Sequence, residues 1–492
     1  MKNKLSKLVF TELRKYLLTH LGLDFSEKRE KELIQKLKPA SIEFGFNNNS
    51  EFVHWLLENG LSNKQLEVLA SYLTIGETYF LREKKSFNFL EKIYLTSVIQ
   101  KRTGKDKQIR IWSAGCASGE EAYSIAIILL RTIPKIKEWN ITILATDVNP
   151  DMLKKAKKGI YSKWSFRNNP DWFFSKYFEK VGDNLFQILP EIMNMVTFAP
   201  LNLAKDIYPS LLNNTNAMDI IFCRNVLIYF SQEGIREVTN RLYKSLLHNG
   251  VLIVSPVEMS NLISPKFAKI NYEGYTIYQK GLIIDSNSKV RIQKTRLLNL
   301  TANCKSIQAI SNQIVKERVV SNKPVKEIEK ISNYKQAILL FEQGLFEQTE
   351  IFLTKLLSDD KENQKQIISL LAKTKANLGK LDEARLLCDK GLEIDKTDYS
   401  LYYLTATVMQ EQGKDEEAIS ALRKAIYLDH NFVLAHFLLG NISIKKGHNK
   451  VGKKHFNNAI NILSSLDSED IVPESDGLTV GRFTEIITAL KT

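Results

Sequence analysis

Ile109-Arg110-Ile111-Trp112-Ser113-Ala114-Gly115-Cys116-Ala117-Ser118-Gly119-Glu120-Glu121-Ala122-Tyr123-Ser124-Ile125-Ala126 carries the reading of the fold. A short apolar run passes into small residues, then two carboxylates, then a helix with an apolar face. That succession predicts strand, tight turn and helix, with a ligand lying against bare backbone at the helix N-terminus. Glu120 and Glu121 would repel a phosphate there. The turn therefore suits a cationic, amino-acid-like cofactor carrying an ammonium and a sulfonium. Taken alone, Gly-x-x-x-Gly is equally the pattern of an ordinary strand–turn–helix corner with solvated glutamates.

Working outward, residues 105–282 alternate strands and helices. Strands are predicted at 109–113, 141–146, 196–198, 218–223, 250–255 and 275–279, with helices between most of them. This order reads as α/β, a mostly parallel and doubly wound sheet. Ligands in such folds sit beyond the C-terminal ends of the strands. Gly115 to Glu121, Asp147, Arg224 and Asn225 all fall there. Residues 160–195 are aromatic and turn-rich, and read as a small inserted β element.

Residues 1–90 read as a helical module. Leu8, Phe10, Leu13, Tyr16, Leu17 and Leu21 recur at helical spacing. Ser26 opens a second helix made basic by Lys28, Arg29, Lys31, Lys36 and Lys38, either a solvated face or a docking surface for an acidic helix. Ser50 and Ser62 are the expected N-caps of two more.

Beyond the sheet, residues 283–330 hold ten Lys or Arg against four Asp or Glu with poor periodicity, a basic linker with one transient helix around 305–318. A repeat follows. Gly344, Gly379, Gly413 and Gly447 are spaced 35, 34 and 34 residues apart. Small residues recur at fixed offsets after them, clearest in Asp382-Glu383-Ala384 and Asp415-Glu416-Glu417-Ala418. A 34-residue period is that of tetratricopeptide repeats, paired helices that hold protein partners. The chain divides into 1–90, 91–282, 283–330, repeats over 331–465, and a tail over 466–492 with a short amphipathic helix around 482–490.

The totals are consistent with this plan. A chain of 492 residues is too long for one core, and 44% hydrophobic with 25% charged is ordinary for a globular protein. No apolar run approaches the ~20 residues of a membrane span, so no membrane insertion is expected. Cys116, Cys223, Cys304 and Cys388 are scattered, which suits a reducing cytoplasm and argues against a zinc site or disulfide framework. The net charge of +14 is spread rather than clustered, favouring acidic protein partners over nucleic acid.

Several sequence stretches carry chemistry. Asp147 ends the strand Ile141–Asp147, where an acid accepts both hydroxyls of a ribose; it would equally serve as an N-cap for the helix near 150–158, where Asp151 competes. Arg224 and Asn225 end the strand Asp219–Cys223 and precede Tyr229-Phe230. Arg224 there either neutralises an incoming carboxylate or caps a structural acid. Leu201-Asn202-Leu203 follows a strand, where its amide could be set against an adenine edge. Leu73–Glu83 mixes hydroxyl, aromatic and Arg between two helices in a way no helix packing requires.

Together Leu73–Glu83, Trp112–Ser124, Ala145-Thr146-Asp147, Leu201-Asn202-Leu203 and Phe222–Phe230 resemble the bacterial chemotaxis receptor methyltransferase family, in its subgroup with appended tetratricopeptide repeats. The resemblance implies an N-terminal helical domain, a Rossmann-like methyltransferase domain over 91–282 with a small β insertion, and methyl transfer from S-adenosylmethionine to glutamates of chemoreceptor cytoplasmic helices. It implies cofactor contacts from Thr78, Arg82, Glu120, Asp147, Asn202, Leu203, Arg224 and Asn225, with Arg82 and Tyr229 nearest the transferring methyl. Gly76 also falls in the cofactor motif, standing where the family often has Asn. A glutamate carboxylate, with a pKa near ~4.3, is already an anion and needs no general base. None of the seven histidines lies in these motifs. The alternative is a signalling adaptor whose methyltransferase domain senses the cofactor or is inactive.

Overall fold

The computed structural model describes residues 5–491 apart from 75, 105–106, 170, 260–262, 282–332 and 360–362. The basic linker, its expected helix around 305–318 and Cys304 therefore lie outside the described residues.

A seven-stranded sheet forms the centre, built from β1 (Gln108–Ala114), β2 (Asn140–Asp147), β6 (Val196–Pro200), β7 (Met218–Phe222), β8 (Leu246–Ile253), β9 (Phe267–Tyr272) and β10 (Tyr275–Lys280). A separate three-stranded sheet holds β3 (Ile160–Ser162), β4 (Phe178–Gly182) and β5 (Leu185–Ile188). The central order is β6-β2-β1-β7-β8-β10-β9, with β10 alone reversed, antiparallel to both β8 and β9. β9 was missing from the sequence reading. Its burial alternates irregularly and it pairs with β10 across the short Glu273-Gly274 turn, so it carries little pattern of its own.

Both faces of the sheet are covered, which is why its strands read as unbroken apolar runs. Ile111, Ile143, Ile220 and Phe222 point into one core, completed by the helix Glu120–Thr132 and the helical run Lys84–Lys101. Trp112, Leu144 and Ile221 point into the other, completed by Val238 and Leu242 of the helix Gln232–Ser245. The Trp112 indole is fully buried and donates to Thr146 Oγ1 at 2.9 Å, satisfying its one polar atom. The boundary expected at residue 90 falls inside the Lys84–Lys101 run, whose Phe87 and Phe89 already belong to the sheet core.

Four helices, Lys7–Leu21, Glu30–Glu43, Asn49–Asn59 and Asn63–Leu73, enclose a separate N-terminal core. Phe10, Leu13, Leu17 and Leu21 face it, whereas Leu8 is 70% exposed. Ser62 caps its helix in a full capping box with Gln65. The cap expected at Ser50 is instead Asn48, whose side chain accepts from Glu51 N; Asn caps as well as Ser and comes first in the chain.

The C-terminal region is four helix pairs: Asn333–Glu342 with Phe346–Asp359, Gln364–Asn377 with Leu381–Ile394, Tyr399–Glu411 with Asp415–Leu428, and Val433–Lys445 with Asn449–Leu463. Gly344, Gly379, Gly413 and Gly447 sit in the turn of each pair with φ between 66° and 79°, the left-handed conformation that ends a helix. The array is docked on the edge of the sheet opposite the C-terminal strand tips. Arg110, near the start of β1, meets Glu411 at 3.6 Å with both side chains buried, and Asn216 donates to Glu411 at 3.2 Å. Leu211 and Leu212, in the loop before β7, pack into the repeat cores. Leu211→Ala should lower stability by about 1–2 kcal/mol, less than for a fully buried leucine, read as a fall in the urea midpoint of the full chain.

The tail returns from the last repeat. Ile471 and Thr479 form an antiparallel bridge, and a helix spans Val480–Lys491, slightly longer than the 482–490 expected. Phe483 and Ile487 are fully buried in the last repeat's core, with the Phe483 ring 4.9 Å from Phe437. The tail thus caps the stack. Among the described residues no helix is long and apolar enough to cross a membrane.

Candidate functional site

Strand order reverses at β1, which has β2 and β6 on one side and β7 and β8 on the other. The crevice beyond the tips of β1 and β7 is where such sheets bind ligands. A cleft opens there, lined by Glu77, Thr78, Tyr79, Arg82, Phe87, Gly115, Cys116, Ala117, Glu121, Arg224 and Asn225. Gly115 has a φ of 85°, and a Cβ on it would fall 2.3 Å from Val226 Cγ2, so the close turn after β1 requires glycine. Leu81, Glu83, Ala117 and Asn225 also hold positive φ, between 47° and 60°. Leu81, Glu83 and Ala117 each cost on the order of 1–2 kcal/mol there, and with Asn225 they lie around this cleft as strained backbone does at functional sites.

The charges are arranged around Arg224, whose side chain is 1% exposed. Its Nη1 meets Glu121 at 3.1 Å, its Nη2 meets Glu83 at 3.2 Å, and it also donates to the Arg82 carbonyl. Its Nε is buried with no hydrogen-bond partner. Burial works against the Arg224 charge, but the two carboxylates outweigh it and its pKa ends raised. Burial pushes the Glu121 carboxyl above its ordinary range, against the pull of Arg224 and of Ser113, which donates to it at 2.7 Å. Two carboxylates and one guanidinium leave this corner net negative.

Asp147, at the tip of β2, accepts from Ala117 N and Asn149 N, each at 2.8 Å. It is half-buried, with its pKa raised by burial against those backbone donors. The cap of the next helix is neither Asp147 nor Asp151 but Asn149, which accepts from Asp151 N and Met152 N. Asp147 is thereby free of capping duty, and a carboxylate with about four acceptor positions keeps capacity for a ligand.

Thr78, Arg82, Arg224 and Asn225 come together in the cleft as expected from their motifs. Glu120 does not line it. Its side chain accepts from Ser118 at 2.7 Å and Ser165 at 3.0 Å and is 2% exposed, turned toward the β insertion. Successive helical residues diverge by about 100°, and of the paired carboxylates it is Glu121 that lines the cleft. Asn202 closes a turn beside Asp147, accepting from Ala204 N at 2.9 Å, while Leu201 N donates to the Asp147 carbonyl at 3.1 Å. The Leu203 side chain is buried in the sheet core. A Cβ at Gly76 would fall 2.3 Å from Met152 Sδ, so any larger residue there must displace that thioether. Tyr229 sits at the seam with the N-terminal helices, its carbonyl accepting from Asp24 N at 2.8 Å and its ring 5.7 Å from the Arg29 guanidinium. Arg29 and Arg82 both pull its pKa down, but burial outweighs them and raises it.

Glu83 and Glu121 stand within the sequence motifs without a role assigned to them, and Glu258 is not singled out there at all. Glu258 accepts from the backbone N–H groups of Asn225, Val226 and Leu227 and so fixes the loop after β7. Ser255-Pro256-Val257-Glu258 is a capping-box spacing, the signal that marks it.

Residues 76–274 match the family model for the CheR methyltransferase SAM-binding domain, and residues 408–447 match a TPR repeat. The chain is 33% identical over 259 residues to a chemotaxis protein methyltransferase of Borreliella burgdorferi, spanning 52% of this chain and 88% of that protein. It is 33% identical over 271 residues to chemotaxis protein methyltransferase 2 of Vibrio cholerae, spanning 55% and 92%. A probable biofilm formation methyltransferase of Pseudomonas aeruginosa, WspC, is 24% identical over 426 residues, 85% of this chain and 91% of that protein. The matched span 76–274 contains the residues that line the cleft, and the chain belongs to the CheR-type chemotaxis methyltransferase family, whose cofactor is S-adenosylmethionine.

Proposed function

We propose that this chain methylates glutamate side chains of chemoreceptor-type proteins, forming methyl esters, and that its repeats hold a protein partner. The observation that carries the reading is the joining of Glu121 and Arg224 in one cleft at the sheet's reversal point, with Asp147 bonded to the cleft wall through Ala117 N. Their chemistry fits S-adenosylmethionine: an acid for ribose hydroxyls, a net-negative corner for ammonium and sulfonium, and a guanidinium for a carboxylate. The cofactor supplies, when bound, a methyl group on a positively charged sulfur.

In this reading Asp147 holds the ribose and Asn202 flanks the adenine. Glu121 takes over the ligand-facing role expected of Glu120, which buttresses the turn through Ser118 and Ser165. Thr78, Arg82, Arg224 and Asn225 enclose the methionyl end, and Arg82 and Tyr229 border the mouth. Among the described residues no histidine lines the cleft. An ionised substrate carboxylate needs none, since alignment and exclusion of water supply roughly 7–11 kcal/mol of such a barrier. Lys28, Lys31 and Lys38, exposed on the same helical segment, give an acidic substrate a favourable approach, while Arg29 beside Tyr229 is paired with Glu32 at 2.9 Å. The proposed domains are 1–90, 91–282, 283–330, 331–465 and 466–492, with the end of the first, from Lys84 on, packing on the sheet through Phe87 and Phe89.

The test uses labelled S-adenosylmethionine, cytoplasmic fragments of chemoreceptors and peptide mapping. Label on glutamate that mild alkali releases as methanol is the expected result. Label that survives alkali, or that maps to nitrogen, contradicts the glutamate ester.

A further inference from the structure

The tail helix reaches past the repeats. Arg482 makes a bidentate pair with Asp206, Nε to Oδ1 at 3.1 Å and Nη2 to Oδ2 at 2.8 Å, and also meets Glu67 of the N-terminal helices at 3.5 Å. Neither partner of the main pair is freely solvated, with side chains 19% and 13% exposed.

Asp206 is tied to the cofactor cleft. Its Oδ2 accepts from Asn202 N at 2.7 Å, and its own N–H donates to the Asn202 carbonyl at 2.8 Å. The turn so formed, Leu201–Asp206, is bonded to Asp147 through Leu201. Arg241 holds the backbone of the same turn through the Ala204 and Asp206 carbonyls, each at 3.1 Å. Among the described residues, the Asp206 carboxylate is held by the Asn202 N–H and by Arg482.

We propose that Arg482 is a positioning residue for cofactor binding: it orients Asp206, and through it the turn that carries Asn202 beside Asp147. The inference rests on the reading that this turn borders the nucleoside. Because the tail helix is seated in the last repeat through Phe483 and Ile487, the placement of that repeat and the affinity for cofactor are linked. A partner that shifts the last repeat changes cofactor affinity, and the cofactor changes that partner's affinity by the same factor.

The test is calorimetric titration of the full chain with S-adenosylhomocysteine, alongside thermal melts. Arg482→Met should weaken binding roughly five- to tenfold. Arg482→Lys, which presents a point charge instead of a fork, should restore part of the loss. Arg482→Met added to Asp206→Asn should weaken binding no further, because the two act as one unit. Lys373→Met, which removes the tail's contact to Glu474 but does not touch Asp206, should leave affinity unchanged. Affinity within twofold of the parent in both Arg482 variants, additive losses in the double variant, or an equal loss from Lys373→Met would each overturn the inference. Asp147→Ala serves as the separate control: unchanged affinity there removes the cleft reading itself and this inference with it.

Discussion

Replacing Asp147 by alanine should weaken S-adenosylhomocysteine binding about 100-fold, measured by calorimetry on the full chain. Each hydrogen bond to a charged group is worth about 1.5–3 kcal/mol, and two ribose hydroxyls on one carboxylate, at the lower end of that range, correspond to about two decades in affinity. The same carboxylate accepts from Ala117 N and Asn149 N at 2.8 Å, so the variant also loosens the turn after β1. Asp147→Asn separates the two contributions. It keeps an acceptor for a backbone donor but loses the charge, and should fall between alanine and the parent. An alanine variant that binds within threefold of the parent would show that the nucleoside lies elsewhere.

Arg224→Met should lower the free energy of unfolding by roughly 3–5 kcal/mol, the usual cost of stripping one partner from a buried ion pair. Glu121 and Glu83 would be left facing each other across the vacated space, with side chains 13% and 24% exposed. The loss should depend on pH in a definite direction. Burial already raises the Glu121 pKa, and Arg224 is the largest influence holding it down. Removing Arg224 raises it further above the unfolded value of ~4.3. A carboxyl whose folded pKa is raised contributes stability that is present below the unfolded pKa and lost as pH rises through the folded one. The deficit of the variant should therefore be smallest near pH 4 and grow toward pH 8, measured by urea unfolding. A deficit that does not change with pH would mean that the carboxylates find other partners.

Much of this site was legible in the chain because it lies at strand tips, where apolar runs stop abruptly. Asp147 and Arg224 each end a buried strand, so chain order alone brings them to one edge. What escaped was side-chain direction. Glu120 and Glu121 are adjacent, and only the seating of their helix against Ser165 and Ser113 separates them into a buttress and a cleft residue. The cap of the helix after β2 was hidden for a related reason: Asn149 competes with two aspartates, and the choice depends on Asp147 being turned back toward Ala117. The repeats were plain from glycine spacing, whereas their seat on the sheet edge was not. Arg110 reads as one residue of a strand, and nothing local couples it to Glu411, 301 positions later in the chain. The contact between Arg482 and Asp206 escaped in the same way, since long-range ion pairs leave no periodicity.

The central claim is that the cleft beyond β1 and β7 is the S-adenosylmethionine site. A crystal structure of the full chain with S-adenosylhomocysteine tests it directly. The account predicts ligand density in that cleft, with the ribose hydroxyls on the Asp147 carboxylate and the amino-acid end between Glu121 and Arg224. Density at any other place, or a cleft still closed by the Glu83–Arg224–Glu121 cluster at saturating ligand, would contradict it.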